Sequence, residues 1–408
     1  MHTPTPIRLD NARVLIYSHD TFGLGHLRRC RAIAHELVGR FKGISVLILS
    51  GSPVIGGFEF RARVDFVRIP GVIKLKDGSY TSLGLHIDLD QTMAMREAII
   101  RQTAEVFRPD LFLVDKEPLG LEGEVGETLR QLRRRGARTV LGLRDVIDEP
   151  ESLRQEWTRK SALSAIAELY DEIWIYGREA FYHPLRGLGL GDDIARKTVF
   201  TGYLRRPSVE DAFAPRIKKP YILVSPGGGK DGEAMVELAL QALRRSSRPE
   251  VAMLLVLGPF MDEEQRMRFK RCAESMPNLR VLDYHPRIEH LIENADGLIT
   301  MGGYNTFCEI LSFNKPAIVL PRFEPRTEQL IRARRAAELG LITMLEPAAG
   351  SVENLQSLLD DLTANPCRAP RPADNLPDGM LDGMDQVCER VVAMLGAESP
   401  RAARGDSR

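Results

Sequence analysis

The sequence predicts an α/β protein of two Rossmann-like, doubly wound domains with an interdomain cleft, and three observations carry that reading. At 408 residues the chain exceeds the size at which one hydrophobic core usually stops growing. Short apolar runs alternate with amphipathic stretches, the pattern of a mostly parallel sheet covered on both faces. The alternation breaks between Arg205-Arg206-Pro207 and Lys219-Pro220, then restarts, and each half opens on an apolar run followed by a glycine-rich turn.

In chain order, Arg13 to Ser18 reads as a buried strand, and a helix is expected from His26 through Leu37. Ile44 to Leu49 and Val64 to Ile69 read as the second and third strands. Pro70 to Asp90 is long, rich in Gly and polar residues and without clear period, the mark of a functional or mobile loop. Gln91 to Phe107 reads as an amphipathic helix, Leu111 to Asp115 as a strand, Leu129 to Arg135 as the end of a helix and Thr139 to Leu143 as a strand. One helix is expected from Glu151 into Tyr170, then strands at Ile173 to Tyr176 and Thr198 to Gly202. The second half places strands at Tyr221 to Ser225, Val251 to Leu257, Leu279 to Leu282, Gly297 to Thr300 and Ala317 to Leu320. Met380 to Leu395 reads as a closing amphipathic helix after the Pro-rich stretch Asn365 to Pro372. The expected domains are 1–205 and 220–378, with a linker at 206–219, a closing helix at 379–397 and a disordered tail at 398–408.

Composition excludes several classes. Apolar content of 43% and charged content of 27% are those of an ordinary globular protein. With 56 basic and 56 acidic side chains, nothing in the overall charge points to nucleic acid. The basic spots Leu27-Arg28-Arg29-Cys30-Arg31 and Leu132 to Arg135 read as solvated helix faces, or as a rim that meets anionic lipid or a phosphorylated acceptor. Five widely spaced cysteines, with no Cys-x-x-Cys, imply a reduced protein without a structural metal. No run approaches the ~18 apolar residues of a membrane span, and the first residues lack a signal peptide's apolar segment. The expectation is a cytoplasmic protein, free or at the inner face of the membrane, with no cofactor.

The stretch that organises the chain is Ile299 to Leu311: a strand end, the turn Gly302-Gly303, and a helix from about Tyr304-Asn305. Unpaired first-turn amides, the helix dipole and close backbone approach at glycine make such a turn an anion site. Thr306 and Glu309 share one helical face, so a hydroxyl sits by a phosphate while a carboxylate reaches a vicinal diol, as a nucleoside diphosphate requires. The same residues also read as a capping box, Thr-x-x-Glu. Ser225-Pro226-Gly227-Gly228-Gly229-Lys230-Asp231 is either a second pyrophosphate turn or a plain tight turn, and Asp231 after Lys230 excludes a P-loop.

In the first half, Gly23-Leu24-Gly25-His26 lacks the third glycine of a dinucleotide fingerprint, because Arg28 stands there, and Leu49-Ser50-Gly51 lacks the acidic residue. His26 is a candidate general base, or else a helix-capping or core histidine. Asp115 and Glu117 follow one strand and Asp145 another, each a base, an acceptor contact or a helix start. His183, His285 and His290 have no ligand spacing, so no metal is expected.

Tyr284 to Asp296, the glycine turn, and Pro321 to Gln329 together resemble the donor half of the GT-B glycosyltransferases. The likeness is closest to the branch of the lipid-linked N-acetylglucosaminyltransferase of peptidoglycan synthesis, with its family 28 C-terminal domain. It implies that Glu309 holds ribose hydroxyls and that Glu328-Gln329 contacts the transferred sugar. It also implies donor contacts at Arg287, Ile288, Gly302, Gly303, Tyr304, Asn305 and Thr306, at Ser225, Gly227, Gly228 and Gly229, and at Gly23 and Gly25. Gly-x-Gly-His followed by Arg-Arg-Cys also resembles the nucleotide-sugar hydrolase of pseudaminic acid synthesis. The implied activity is a metal-independent, inverting hexosyl transfer from a nucleotide-diphosphate donor, a UDP-sugar by expectation, to a small-molecule, glycan or lipid-linked acceptor hydroxyl. Nucleotide-sugar hydrolysis and non-catalytic nucleotide-sugar binding stay open beside it, the long Pro70 to Asp90 segment favouring an acceptor larger than water.

Overall fold

In the computed structural model the described residues are 9–19, 24–75, 79–208, 220–248, 250–346, 350–364 and 370–396. Gly23, most of the expected linker and the expected tail lie outside them. The chain divides into two compact units: unit 1 is Met1–Tyr203 with Asp382–Arg408, and unit 2 is Leu204–Leu381.

Unit 1 opens with β1 (Arg13–Ser18), α1 (Gly25–Arg40), β2 (Ser45–Ser50) and β3 (Val64–Arg68). Then come β4 (Val72–Lys74), β5 (Tyr80–Ser82), α2 (Leu89–Phe107), β6 (Leu111–Asp115), α3 (Gly126–Arg134) and β7 (Arg138–Arg144). It continues with α4 (Pro150–Arg159), α5 (Ala162–Leu169), β8 (Glu172–Tyr176), α6 (Asp192–Lys197) and β9 (Thr198–Phe200). Seven strands pair in parallel in the order β3-β2-β1-β6-β7-β8-β9, so the order reverses between β1 and β6. Strands covered on both faces need apolar side chains at nearly every position, which is why they read as unbroken apolar runs.

Two expectations for unit 1 are corrected. The segment read as a loop from Pro70 to Asp90 contains the antiparallel hairpin β4-β5, whose three-residue strands are too short to show a period. Asp88 ends it by capping α2, its carboxylate accepting from the Gln91 N–H at 2.7 Å. The single helix expected from Glu151 is two helices, because Ser161 lies in the left-handed region at φ 49° and stops α4.

A buried ion pair fastens this region. Arg96 on α2 and Glu124 before α3 are 1% and 3% exposed. Nε and Nη2 of Arg96 donate to Glu124 at 2.6 and 2.5 Å, Nη1 donates to the Pro70 carbonyl at 2.5 Å, and the Tyr17 hydroxyl of β1 also donates to Glu124.

Unit 2 comprises β10 (Tyr221–Ser225), α7 (Glu233–Arg245), β11 (Ala252–Val256), α8 (Glu263–Glu274), β12 (Leu279–Leu282) and α9 (Ile288–Asn294). It goes on with β13 (Gly297–Thr300), α10 (Tyr304–Ser312), β14 (Ala317–Val319), α11 (Glu328–Glu338) and β15 (Thr343–Met344). Helices α12 (Val352–Ala364) and α13 (Pro372–Asn375) complete it. Six parallel strands run β12-β11-β10-β13-β14-β15, and the order reverses between β10 and β13. The two-residue β15 has no counterpart in the sequence reading, being too short to show a pattern. The last helix, α14 (Gly383–Leu395), belongs to unit 1, where Arg390 pairs with Glu172 of β8 and Asp385 with Arg40 of α1.

Removing one partner of the Arg96–Glu124 pair strands the other charge in the core. Glu124→Ala is expected to destabilise unit 1 by about 3–5 kcal/mol, read as a lower denaturant midpoint for that unit while unit 2 keeps its own.

Candidate functional site

Doubly wound sheets present ligands at the carboxyl ends of the strands where the order reverses. In unit 2 that point lies between Ser225 and Thr300, which are register neighbours at the ends of β10 and β13. From Ser225 the chain runs through the glycine turn into α7, and from Thr300 through Met301-Gly302-Gly303 into α10. Glycine is required at particular places. Gly302 has φ +72°, and a Cβ there would lie 2.7 Å from Val319. Gly229 has φ +98°, with the Leu257 carbonyl 2.6 Å from its Cβ position. At Gly227 a Cβ would meet nothing within 4 Å, but φ +76° still favours glycine; at Gly303 the space is open and φ is −58°.

The N-cap of α10 is Gly303, with no side-chain cap. Thr306 is therefore inside the first turn and Glu309 in the second, so the capping-box reading fails: a capping box would have Thr306 at the N-cap. Tyr304, Asn305 and Glu309 are buried and Thr306 half-buried. Ser225 Oγ accepts from the Gly227 N–H at 3.3 Å, and Phe260 N–H donates to the Gly228 carbonyl at 3.0 Å. Arg287 is the N-cap residue of α9 and Ile288 its first residue, while Glu328 and Gln329 open α11. Arg332 of α11 holds the turn itself, Nη1 donating to the Gly302 carbonyl at 3.2 Å.

Arg206 falls in the expected linker, and the structure puts it elsewhere. It is 5% exposed, its Nη2 donates to Asn305 Oδ1 at 2.8 Å, and its backbone N–H donates to Ser312 Oγ at 2.9 Å. A buried guanidinium thus reaches the first turn of α10. The only sequence signal is a basic pair beside Pro207.

In unit 1 the reversal lies between β1 and β6. Gly25 opens α1 and His26 follows it; Gly23 lies outside the described residues. His26 Nδ1 is 2.5 Å from Asp115 Oδ2 at the end of β6. Arg29, one turn along α1 and 1% exposed, grips the same carboxylate, with Nε to Oδ1 at 2.8 Å and Nη2 to both oxygens at 2.7 Å. The basic spot at Arg28 to Arg31 is thus not a solvated face throughout. Burial would raise the Asp115 carboxyl, but Arg29 and then His26 hold it well below the usual range. Burial likewise lowers His26 to about 4, outweighing the Asp115 charge. A neutral ring that donates from Nδ1 to Asp115 carries its lone pair on Nε2. His19 packs edge-on against His26 with ring centroids 5.6 Å apart.

The other carboxylates have different surroundings. Glu117 is buried, with Lys116 Nζ at 3.2 Å and Lys160 Nζ at 3.0 Å; against the burial that would raise it, these cations hold its carboxyl low, which makes it a weak base. Asp145, at the end of β7, accepts from the buried Tyr203 hydroxyl at 2.7 Å. Among the described residues no three His, Cys, Asp or Glu side chains are grouped to hold a metal ion, and no helix is long and apolar enough to cross a membrane.

Residues 222–387 match the family model for the glycosyltransferase family 28 C-terminal domain. The chain is 29% identical over 174 residues to the UDP-N-acetylglucosamine--N-acetylmuramyl-(pentapeptide) pyrophosphoryl-undecaprenol N-acetylglucosamine transferase of a Sulfurihydrogenibium species, covering 41% of this chain and 46% of that one. Thus it spans about half the length of that relative. An uncharacterized glycosyltransferase of Methanosarcina acetivorans is 24% identical over 361 residues, 83% of this chain and 88% of the relative. The solved kitacinnamycin glycotransferase superposes with a TM-score of 0.62 at 17% identity, over 96% of this chain and all of that one. A putative UDP-N-acetylglucosamine 2-epimerase from Listeria monocytogenes reaches 0.61 at 12% identity, over 98% and 99%. At such identities the structures show the fold alone, and that fold is GT-B.

The glycines separate packing from open space. Gly229→Ala is expected to lower the melting temperature by several degrees, a loss of about 1–3 kcal/mol, whereas Gly303→Ala leaves it within a degree or two. Differential scanning fluorimetry distinguishes them.

Proposed function

We propose that this chain, a GT-B protein whose second unit carries the glycosyltransferase family 28 C-terminal domain, moves a sugar from a nucleoside-diphosphate donor of the UDP-sugar type to an acceptor hydroxyl. The observation that carries the reading is the start of α10. Its first turn has no side-chain cap, a buried arginine reaches it, and Glu309 lies buried one turn on. The positive end of the helix dipole and Arg206 supply field for a diphosphate, while a carboxylate on the same helix suits the paired hydroxyls of a ribose.

In the reaction, His26 Nε2 takes the proton of the attacking hydroxyl, whose oxygen bonds to the anomeric carbon as the bond to the diphosphate breaks. Attack from the face opposite the leaving group inverts that carbon. Asp115 fixes the imidazole tautomer and stabilises the imidazolium that forms, and Arg29 keeps Asp115 charged. The helix N-terminus and Arg206 stabilise the leaving diphosphate by fixed dipoles and charge, so no metal is needed for that step. Membrane-linked, glycan and small-molecule acceptors are all compatible with this chemistry.

Four experiments test the reading. Glu309→Gln is expected to weaken UDP binding by roughly tenfold to a hundredfold, the worth of a hydrogen bond to a charged group, with the fold intact. Unchanged affinity in calorimetry would return Glu309 to a structural part. His26→Ala is expected to lower turnover about a hundredfold or more with UDP affinity kept. In the wild type, kcat/KM should hold as pH falls through 6 and drop only near pH 4, where the neutral ring is lost. An inflection near 6.5 would contradict a buried base. Nucleotide release at full rate without any acceptor would move the assignment to a hydrolase.

A further inference from the structure

Arg322 lies just beyond β14, at the carboxyl edge of the unit 2 sheet. Its guanidinium is shared between two segments: Nη1 donates to Asp231 Oδ2 at 2.7 Å, and Nη2 donates to Glu328 Oε1 at 2.8 Å. Its backbone N–H donates to Gln329 Oε1 at 3.2 Å. Asp231 belongs to the glycine turn between β10 and α7, Glu328 opens α11, and β13 lies between β10 and β14 in the sheet. A single side chain therefore ties the loops on either side of the Gly302-Gly303 turn.

The chemistry of the tie is particular. Glu328 is 3% exposed, and a carboxylate is buried that deeply only with a partner, which Arg322 provides. The planar fork of a guanidinium holds two carboxylates in fixed directions, whereas an ammonium is a point charge that fixes neither. The Nε–H of Arg322 is buried and makes no hydrogen bond among the described residues. Gln329 has its carbonyl oxygen occupied by Arg322, which leaves its NH2 group as the donor for a ligand.

Resting on the nucleotide-sugar reading above, we infer that Arg322 is a positioning residue for the donor sugar: it fixes Glu328 and Gln329 and links them to the glycine turn, restricting the site to donors whose sugar is uncharged. A hydroxyl can donate to the Glu328 carboxylate and accept from the Gln329 amide. A sugar carboxylate can only accept, and it meets a like charge.

Calorimetry on the full-length protein, with UDP, UDP-glucose, UDP-N-acetylglucosamine and UDP-glucuronate as probes, tests this. Arg322→Gln should change UDP affinity by less than about threefold while lowering the affinity of the two neutral UDP-sugars relative to UDP by about tenfold or more. Arg322→Lys should not restore it. Glu328→Gln should give the same loss, no greater in the double variant, and should narrow the preference for UDP-glucose over UDP-glucuronate at least about tenfold. Asp231→Asn, which removes only the link to the glycine turn, should give a smaller loss of the same kind and serves where Arg322→Gln does not fold. Full retention of the neutral-sugar ratio in Arg322→Gln, or equal affinity of the wild type for UDP-glucose and UDP-glucuronate, overturns the inference alone. Failure of every probe to bind the wild type overturns the nucleotide-sugar reading and this inference together.

Discussion

A parallel sheet covered on both faces imposes one constraint on everything chemical in this chain. Right-handed crossovers send helices to opposite faces where the strand order reverses, and the loops leaving the two central strands part there. Unit 1 reverses between β1 and β6, and unit 2 between β10 and β13. At both points the next helix starts without a side-chain cap, at Leu24 for α1 and at Gly303 for α10. The N-terminal ends of those helices carry the positive end of the helix dipole, and the candidate residues collect around them.

Burying charges at such a point works only if they are stacked in the right order. Asp115 is fully enclosed, so alone it would be driven toward its neutral form; Arg29 reverses that through the shared carboxylate oxygens. A charged Asp115 then orients the His26 proton onto Nδ1. Burial, acting on His26 more strongly than Asp115 does, keeps the ring neutral. The three residues form a sequence of causes: Arg29 keeps Asp115 charged, and Asp115 fixes which nitrogen of His26 carries the proton. Glu117 shows the alternative outcome at the same strand end, where two lysines hold the charge and the basicity is lost.

The fold is legible in the sequence because fully buried strands carry their signal in every residue. Most of the long strands, from Arg13 to Ser18 onward, match their apolar runs within a residue or two. What escapes is short or locally irregular: the hairpin β4-β5, the two-residue β15, and the left-handed Ser161 that divides α4 from α5. The candidate site is readable where glycine or histidine marks a turn, as at Gly302-Gly303 and His26. It is not readable where an arginine is held by distant partners. Arg29 looks like part of a solvated basic face, Arg206 like linker, and Arg322 like a loop residue, because their meaning lies in Asp115, Asn305 and Asp231 elsewhere along the chain. Arg29 has one local hint, its place one turn after His26 on the same helical face.

The two arginines of unit 2 show how partner chemistry sorts binding from positioning. Arg206 meets the neutral amide oxygen of Asn305, so that bond leaves its charge uncancelled beside the α10 N-terminus, where it adds to the dipole. Arg322 meets two carboxylates, so this group of three is net negative, and what the guanidinium supplies is geometry: a rigid fork with fixed directions. A dianionic diphosphate is attracted by the first arrangement and not by the second. A neutral sugar, which recognises placed hydrogen-bond partners and not net charge, responds the other way round. One unit can therefore hold the phosphate end of a donor by field and the sugar end by orientation, using the same residue type for both.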